Sequence, residues 1–270
     1  MKQLKIFCTS VNYYNVIDHL PNNILPLGLG AKSFPINWYD EKVGENISKL
    51  NLFYGELTGI YWIWKNKISE MKKDDLVGNC HYRKLWLDKL YQKKQTFTVS
   101  SLYSNLLKNS KLIESLDCIQ VQPIKFTTKS LLSDFKEIHK VNILEECVNF
   151  LDEKNRTLFL KHLNSNVLYP LNMFITKVEL FEKYCEHIFP WLEKCLDLCL
   201  KKNLCENYNI RLPAFLAERF TSFWFSQFEK RVSLSYARLG KTFLSNRLNS
   251  FICPIKFPFT FRMYPTIHRY

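Results

Sequence analysis

The sequence predicts an α/β fold, in which helices flank a central β-sheet. Short apolar runs of strand length, such as 76–80, alternate with segments of helical periodicity, such as 47–68. The chain has only 7 glycines and 10 prolines in 270 residues, which argues against a loop-rich β-sandwich. With 47% hydrophobic residues it can bury a sizeable core, so we expect one large α/β domain, alone or with a helical annex.

The first predicted strand lies at residues 4–9, and the polar residues Thr9, Ser10 and Asn12 follow at its carboxyl end. A strand that ends in small polar residues suits nucleotide binding, although a simple polar turn explains the pattern equally well. Neither a Gly-rich dinucleotide fingerprint nor a P-loop follows, which argues against a dehydrogenase and a P-loop kinase. Residues 21–40 are rich in Pro and Gly and predict a loop packed over the sheet.

One helix is predicted over 47–68. Apolar residues recur there at alternating steps of three and four, which places them on a single face. A second face is small, polar and aromatic and carries Asn51, Thr58 and Trp62. Because such a face suits the side of a ligand cleft, Asn51 and Trp62 are candidates for nucleotide contacts.

The apolar run 76–80 is too short for a helix and predicts a buried strand. This strand delivers His81 and Arg83 to its carboxyl end, where ligands bind in open α/β sheets. The acidic residues Asp74 and Asp75 precede the strand and therefore lie at the end away from a ligand.

The rest of the chain alternates between helices and strands. Helices are predicted over 101–109, 130–151 and 178–201 and from Pro213 onward, and strands over 118–121 and 172–175. In the last helix, Glu218 and Arg219 interrupt an apolar segment. Burial of such charges costs several kcal/mol unless they are paired, so they face either a salt-bridge partner or a polar cleft. His139 lies in a predicted helix, where a lone His is more often packed or exposed than catalytic.

The chain carries 38 Lys and Arg against 25 Asp and Glu, a net charge of +13. This excess indicates a solvated basic surface, a polyanionic ligand, nucleic acid or an anionic membrane face. Membrane or phosphate ranks ahead of nucleic acid. The lysines are dispersed, and the sequence contains no helix-turn-helix, zinc-finger or aromatic RNP pattern.

Nine cysteines are scattered through apolar segments without a C-x-x-C pair, which is typical of reduced cytosolic thiols. Cys195 and Cys199 lie one helical turn apart, but no further residue completes a zinc site. We recognise no signal peptide and no apolar run long enough to cross a bilayer. We therefore expect a cytoplasmic protein, either soluble or bound peripherally to the inner face of the cytoplasmic membrane.

Several of these residues belong to a set of short motifs. In chain order the motifs are Asn46-Ile47-Ser48, Asn51, Glu56-Leu57-Thr58, Tyr61-Trp62-Ile63-Trp64-Lys65-Asn66, His81-Tyr82-Arg83, Asn172-Met173-Phe174-Ile175, Arg211 and Glu218-Arg219. The combination resembles a family of bacterial glycosyltransferases of capsule, exopolysaccharide and O-antigen synthesis, long labelled as domain of unknown function 4422. The resemblance covers about residues 4–228, and its central motifs are long and specific.

Three positions depart from the family pattern. Lys84 stands where the family has Arg, which keeps the charge but loses bidentate geometry. The first strand ends with Cys8, Thr9 and Ser10, where the family often has Thr-His-Lys. The family's His-x-x-Asp pattern is His139 with Asn142 here, which weakens any role for a His–acid pair.

The resemblance implies a GT-A-like fold over residues 1–230, with a Rossmann-like mixed central sheet flanked by helices. Residues 231–270 would form a basic, aromatic C-terminal extension packed on that domain. The implied reaction moves galactose or galactofuranose from a UDP-sugar to a growing capsule, lipooligosaccharide or O-antigen glycan. The alternative is a non-catalytic basic protein that binds the membrane surface or nucleic acid.

Glycosyl transfer needs a nucleotide pocket, cations at the leaving diphosphate and, often, a carboxylate that deprotonates the acceptor hydroxyl. We predict that Glu218 is this carboxylate. The predicted contacts to the nucleotide sugar are Thr9, Asn46, Asn51, Trp62, Lys84, Asn172, Arg211 and Arg219.

Most GT-A enzymes hold a metal cation with an Asp-x-Asp sequence, and this chain has no clear one. We predict instead that His81 and Arg83, both as cations, face the diphosphate and take part in catalysis, so that no cofactor is strictly required. In the alternative, Mn²⁺ or Mg²⁺ binds to His81 together with Asp88.

Overall fold

A computed structural model of the protein describes residues 2–89, 99–108 and 115–239. The strands are β1 (Leu4–Ser10), β2 (Ile24–Gly28), β3 (Tyr39–Asp40), β4 (Leu76–His81), β5 (Lys84–Trp86), β6 (Cys118–Val121), β7 (Ile124–Lys125), β8 (Val167–Leu168), β9 (Phe174–Lys177), β10 (Arg231–Leu234) and β11 (Tyr236–Arg238). The α-helices are α1 (Asn51–Tyr54), α2 (Leu57–Asn66), α3 (Val99–Ser104), α4 (Leu131–His139), α5 (Leu144–Val148), α6 (Glu153–Leu163), α7 (Val178–Lys201) and α8 (Leu212–Ser226). Short 3₁₀ turns cover Asn15–His19, Ser48–Leu50, Ile68–Glu70 and Asn207–Arg211.

Nine of these strands form one mixed sheet. Its main path runs β10-β6-β9-β4-β1-β2-β3, and β5 and β11 extend it beside the end of β4. The strand β1 is parallel to both β2 and β4, whereas β9 is antiparallel to β4 and β6. The carboxyl ends of β1 and β4 therefore meet at one edge of the sheet, which is where the sequence placed its candidate ligand site.

Alternating side chains of β1 enter two separate cores. Phe7 packs with residues of α2, α7 and α8 on one face of the sheet. Ile6 and Cys8 pack on the other face with Trp86 and the 3₁₀ turn at Asn15–His19. This period-two division is the pattern of a central strand buried on both faces.

Several predicted elements are confirmed. The long helix occupies Val178–Lys201, as predicted, and the strands at 4–9, 76–80 and 118–121 are present within one residue of the predicted bounds. Each has either a long helical stripe or a compact apolar run, so local pattern was enough to locate it.

The prediction of a loop over 21–40 is wrong, because this segment contains the parallel strands β2 and β3. Pro26 suggested a loop, since proline cannot donate to a β-ladder. Within the described ranges β3 pairs with Leu27 and Gly28 and not with Pro26, so the outer edge of β2 at Pro26 requires no ladder hydrogen bond from β3.

The single helix predicted over 47–68 is also wrong, because the chain breaks at Gly55. This residue has φ 56° and ψ −128°, a conformation that is accessible essentially to glycine alone. The break separates α1 from α2. Similarly, the helix predicted over 130–151 is divided into α4 and α5 after Lys140, which has φ 58°.

Residues after 230 join the main sheet. β10 runs parallel to β6, and β11 pairs with β5. Residues 240–270 lie outside the described residues, so the division at residue 230 and the C-terminal extension stay predictions. No helix in the described ranges is both long enough and apolar enough to cross a membrane.

Candidate active site

A cavity of about 390 Å³ opens at the carboxyl ends of β1 and β4. Its lining combines strand ends, the β4–β5 turn, the residues before β9, the start of α2 and the first turns of α8. The lining residues are Thr9, Ser10, Val11, Leu29, Gly55, Glu56, His81, Tyr82, Arg83, Lys84, Leu171, Asn172, Arg211, Ala214, Phe215 and Glu218. The structure thus brings together seven predicted site residues: Thr9, His81, Arg83, Lys84, Asn172, Arg211 and Glu218.

Two glycines set the position of α2 against the cavity. A Cβ atom at Gly59 would lie 2.9 Å from the Leu29 side chain and 3.1 Å from that of Thr9, so α2 approaches the strand ends more closely than another residue would allow. Gly55 redirects the chain immediately before Glu56. The break in the helix therefore places Glu56 at the cavity. In an unbroken helix, Glu56 would have continued one regular helical face.

His81 joins the ends of β1 and β4 to the residues before β9. Its Nε2 lies 2.9 Å from the carbonyl oxygen of Leu171, and its Nδ1 lies 3.4 Å from Oγ1 of Thr9. A carbonyl oxygen only accepts, so Nε2 carries the proton. Burial lowers the pKa of His81, and Lys84 adds to this effect while Glu56 opposes it.

We predicted that His81 is a cation. Burial disfavours the charged imidazole ring, so the structure favours a neutral His81 at neutral pH. Positive charge at the cavity belongs to Arg83, Lys84 and Arg211. Arg83 and Arg211 are exposed. Burial lowers the pKa of the half-buried Lys84, against the opposing charges of two carboxylates in the same cavity.

The turn at Leu171 and Asn172 connects the polar groups of the site. Both residues have positive φ angles, 84° and 48°, which are uncommon outside glycine. The Leu171 N–H donates to Glu218 over 2.7 Å, and the Asn172 amide donates to Glu56 over 3.0 Å. Backbone strain that persists only because neighbouring groups hold it is characteristic of functional sites.

The two carboxylates at the cavity differ in their partners. Glu218 accepts from the Leu171 N–H with one oxygen and from Arg219 with the other, at 2.7 and 2.6 Å. Glu56 accepts from Asn172 with Oε1, and within the described parts of the chain its Oε2 has no hydrogen-bond partner.

Four predicted nucleotide-sugar contacts do not line the cavity. The Asn46 amide holds the loop before α1, and Asn51 donates to the Gly55 carbonyl and to Thr58. The buried indole of Trp62 donates to the Val43 carbonyl over 2.6 Å. Arg219 is also buried, and it pairs with Asp134 and Glu218. These four residues thus lie outside the cavity lining, with polar groups bonded within the fold, and their contacts to the nucleotide sugar stay predictions.

Sequence reasoning did not select Glu56, Tyr82 or Phe215 as site residues, although all three line the cavity. Glu56 belonged to a family motif but lay in the middle of an expected helix. The Tyr82 ring stacks on Tyr14 with centroids 5.1 Å apart, and the Arg83 guanidinium lies 5.0 Å from the Tyr82 ring centre. Tyr14 and Tyr82 are distant in sequence, so no local pattern predicts their contact.

His139 lies behind the cavity. Its ring packs on Phe215 with centroids 4.6 Å apart, and Nδ1 lies 2.9 Å from Oδ1 of Asn209. The partner of this His is thus Asn209, which the sequence spacing did not indicate, instead of Asn142. Burial lowers the pKa of His139.

The residues considered for a metal do not fit one. Nε2 of His81 already bonds the carbonyl oxygen of Leu171, and Asp88 does not line the cavity. Among the described residues, no three His, Cys, Asp or Glu side chains gather with the geometry of a metal site. The acidic residue Asp75 instead accepts from the backbone N–H groups of Gln3 and Lys72 at the opposite end of β4.

The chain resembles a solved structure in its fold and a known family in its sequence. No curated protein matches the chain. The apo structure of WbbM, a bifunctional glycosyltransferase, superposes with a TM-score of 0.68 at 20% sequence identity. The match covers 87% of this chain and 45% of that one, so this chain spans less than half of the WbbM length.

This likeness confirms the GT-A-like fold predicted from the sequence. The model of one protein family, described as a domain of unknown function (DUF4422), matches residues 5–230. Since that match includes most of the chain, the protein belongs to the DUF4422 family.

Proposed function

We propose that this protein is a glycosyltransferase that uses a nucleotide-diphosphate sugar. The observation that carries the proposal is the cavity at the ends of β1 and β4, where three cationic side chains and two carboxylates converge. Cations stabilise a departing diphosphate, and a carboxylate takes the proton of an attacking hydroxyl. The likeness of the fold to that of a glycosyltransferase supports the same reaction class.

The first donor to test is UDP-galactose, in its pyranose and furanose forms. This choice follows the family resemblance carried by the motifs around Glu56, Trp62 and His81. The acceptor would be a growing glycan of capsule, lipooligosaccharide or O-antigen, free or linked to lipid.

In this proposal Arg83, Lys84 and Arg211 bind the diphosphate. Arg83 and Arg211 are exposed, and each can donate two parallel hydrogen bonds to phosphate oxygens. Lys84 is half-buried, so its charge acts through a less polar medium and less solvent screening. His81 holds the Leu171 turn in place through Nε2.

These side chains supply the positive charge that a metal supplies in other GT-A enzymes, so we propose that catalysis does not strictly require a divalent metal. The reaction would take place in the cytoplasm. The net charge of +13 would favour contact with the anionic inner face of the membrane.

Thermal unfolding with UDP tests the proposal directly. At a concentration 100-fold above its Kd, UDP should add about 2.7 kcal/mol of stability, and UMP should add less because it lacks the β-phosphate. Nucleotide release from a panel of sugar nucleotides should then identify the donor, and release should survive a chelator. Complete loss in chelator that manganese restores would remove the metal-free mechanism.

The competing function is that of a basic protein without catalysis, bound to membranes or nucleic acid. Such a protein would ignore UDP and respond to oligonucleotides, with an affinity that falls steeply with salt. Stabilisation by oligonucleotides without any response to UDP would favour it over glycosyl transfer.

A further inference from the structure

The cavity holds two carboxylates, and their surroundings differ enough to assign them different roles. Both oxygens of Glu218 already accept short hydrogen bonds, one from the Leu171 N–H and one from Arg219. The Arg219 contact is an ion pair with a side chain that is only 4% exposed. Glu218 would have to leave both donors before it could face an acceptor, and the Leu171 turn would then lose its anchor.

Glu56 has one committed oxygen and one available oxygen. Its Oε1 accepts from the Asn172 amide at 3.0 Å, whereas Oε2 has no hydrogen-bond partner within the described residues. Because Glu56 lines the cavity, Oε2 is the carboxylate oxygen best placed to receive a proton from a bound hydroxyl.

Asn172 is itself held rigidly, so it fixes the orientation of Glu56. Asn172 is 2% exposed, and its side-chain Oδ1 accepts from Thr221 at 3.0 Å. Thr221 in turn bonds the buried hydroxyl of Tyr184 at 2.7 Å. This chain of hydrogen bonds connects Glu56 through the protein interior to α7, which gives the preorganisation that a catalytic group needs.

The charges around Glu56 also suit a base beside a leaving diphosphate. Its charge acts on both His81 and Lys84, where it favours the protonated form of each. Glu56 and the cavity cations Arg83, Lys84 and Arg211 therefore share one small volume. A hydroxyl bound near Oε2 would stand beside a sugar whose diphosphate lies against the cations.

We propose that Glu56 is the catalytic base of the reaction and that Asn172 is its positioning residue; this inference rests on the proposed glycosyltransferase function. Oε2 of Glu56 takes the proton of the acceptor hydroxyl as that oxygen bonds to the anomeric carbon. The bond from the anomeric carbon to the diphosphate oxygen breaks, and the nucleoside diphosphate leaves with the electron pair. Glu56 then releases the proton to water, and Glu218 holds the Leu171 turn throughout.

Glu56→Gln tests the assignment with the full-length protein. Gln still accepts from Asn172 through its carbonyl oxygen but cannot take a proton. We expect UDP release from the active sugar nucleotide, with water or short glycans as acceptor, to fall at least about 100-fold in kcat. The KM for the donor should stay within about threefold and UDP should still raise the melting temperature, because the cations that bind the diphosphate are intact.

Glu218→Gln is the matched control. It should lower the melting temperature, because Arg219 loses one of its two acidic partners, and it should reduce kcat much less than Glu56→Gln. A Glu56→Gln protein that keeps more than a tenth of wild-type kcat would overturn the inference while leaving the proposed function intact. The inference would also be overturned if Glu218→Gln lowered kcat as much as Glu56→Gln is expected to, while its melting temperature and its response to UDP stayed those of the wild type. A wild-type protein that neither binds UDP nor turns over any sugar nucleotide would overturn both proposals.

Asn172→Gly tests the positioning role. Glycine tolerates the φ of 48° at this position, so the backbone can keep its turn while the amide is lost. We expect kcat to fall about 10-fold or more with an unchanged donor KM. A merely structural role would instead raise the donor KM together with a loss of UDP stabilisation, and that result would contradict the assignment for Asn172.

Discussion

The molecule contains two groups of charged side chains that look alike in the sequence and differ in the structure. The buried ion cluster consists of Asp134, Glu218 and Arg219. The cavity cations are Arg83, Lys84 and Arg211. Arg219 is 3% exposed and contacts both acids of its cluster, whereas Arg83 and Arg211 are exposed at the cavity.

The difference teaches that a cation is available to a ligand only when acidic neighbours do not already neutralise it. Arg211 and Arg219 lie eight residues apart and both belong to the family motifs, yet of the two only Arg211 lines the cavity. Arg219 lies within the apolar α8 and must be paired, because an unpaired charge there costs several kcal/mol. Arg211 precedes the helix and remains exposed.

Replacing Arg219 should have the largest effect on stability. Arg219→Met keeps a long apolar side chain against Phe135, whose ring centre lies 5.6 Å from the guanidinium, but leaves Asp134 and Glu218 without their cation. Removing one partner of a buried ion pair costs about 3–5 kcal/mol. Urea unfolding at pH 7 should show a loss of this size.

Arg211→Met is the matched control for the same measurement, since it removes an exposed cation; it should change the free energy of unfolding by less than about 0.5 kcal/mol. In the double variant Arg219→Met, Asp134→Asn, part of the loss should return because one uncompensated charge is removed. Equal stability losses for Arg219→Met and Arg211→Met would abolish the distinction between the two groups.

A buried histidine makes the stability of the protein depend on pH. His162 on α6 bonds Ser222 of α8 through Nε2 at 3.0 Å, and burial, with Arg231 and Arg219 adding to it, lowers the pKa of His162 to about 4. Its unfolded pKa is about 6.5, so the folded state disfavours proton uptake and stability falls as pH drops below 6.5. Between pH 7 and pH 5 the expected loss from His162 is about 2 kcal/mol.

Urea unfolding of His162→Gln across this range checks the assignment. Gln cannot titrate, so the variant should lose less stability between pH 7 and pH 5 than the wild type does. His81 and His139 also have lowered pKa values, and their contribution should persist as a smaller slope of the same sign. Identical slopes for the wild type and His162→Gln would contradict the lowered pKa of His162.

Local sequence patterns located the frame of the site but not its connections. Thr9 and His81 could be placed together in advance, because each follows an apolar strand and parallel strands end at one edge. Glu56 could not, because its position depends on a single left-handed glycine and on Asn172, 116 residues away. Two of the deviations from regular helical and strand patterns, at Gly55 and at the Leu171–Asn172 turn, lie at the cavity itself, as expected where function competes with regular structure.

The same limit applies to the prediction that Trp62 contacts the nucleotide. An aromatic residue on a mixed helical face suited a nucleotide contact, but the helix turns that face towards the loop at Val43, whose carbonyl accepts from the indole. Which way a helix faces depends on the strands beneath it. The strand β2 was not predicted, so the orientation of α2 could not be derived from its own sequence.

The smallest expected effect concerns the cavity cations. Arg211→Ala should weaken UDP binding fivefold to tenfold, about 1–1.4 kcal/mol, because a contact from an exposed Arg to phosphate is partly screened by solvent. Lys154→Ala removes an exposed cation from α6, away from the cavity, and serves as the control. Titration calorimetry with UDP at low and high salt measures both. Salt should weaken UDP binding less in Arg211→Ala than in the wild type, since one screened charge is gone. If Lys154→Ala weakens binding as much as Arg211→Ala does, net charge and not the cavity binds UDP.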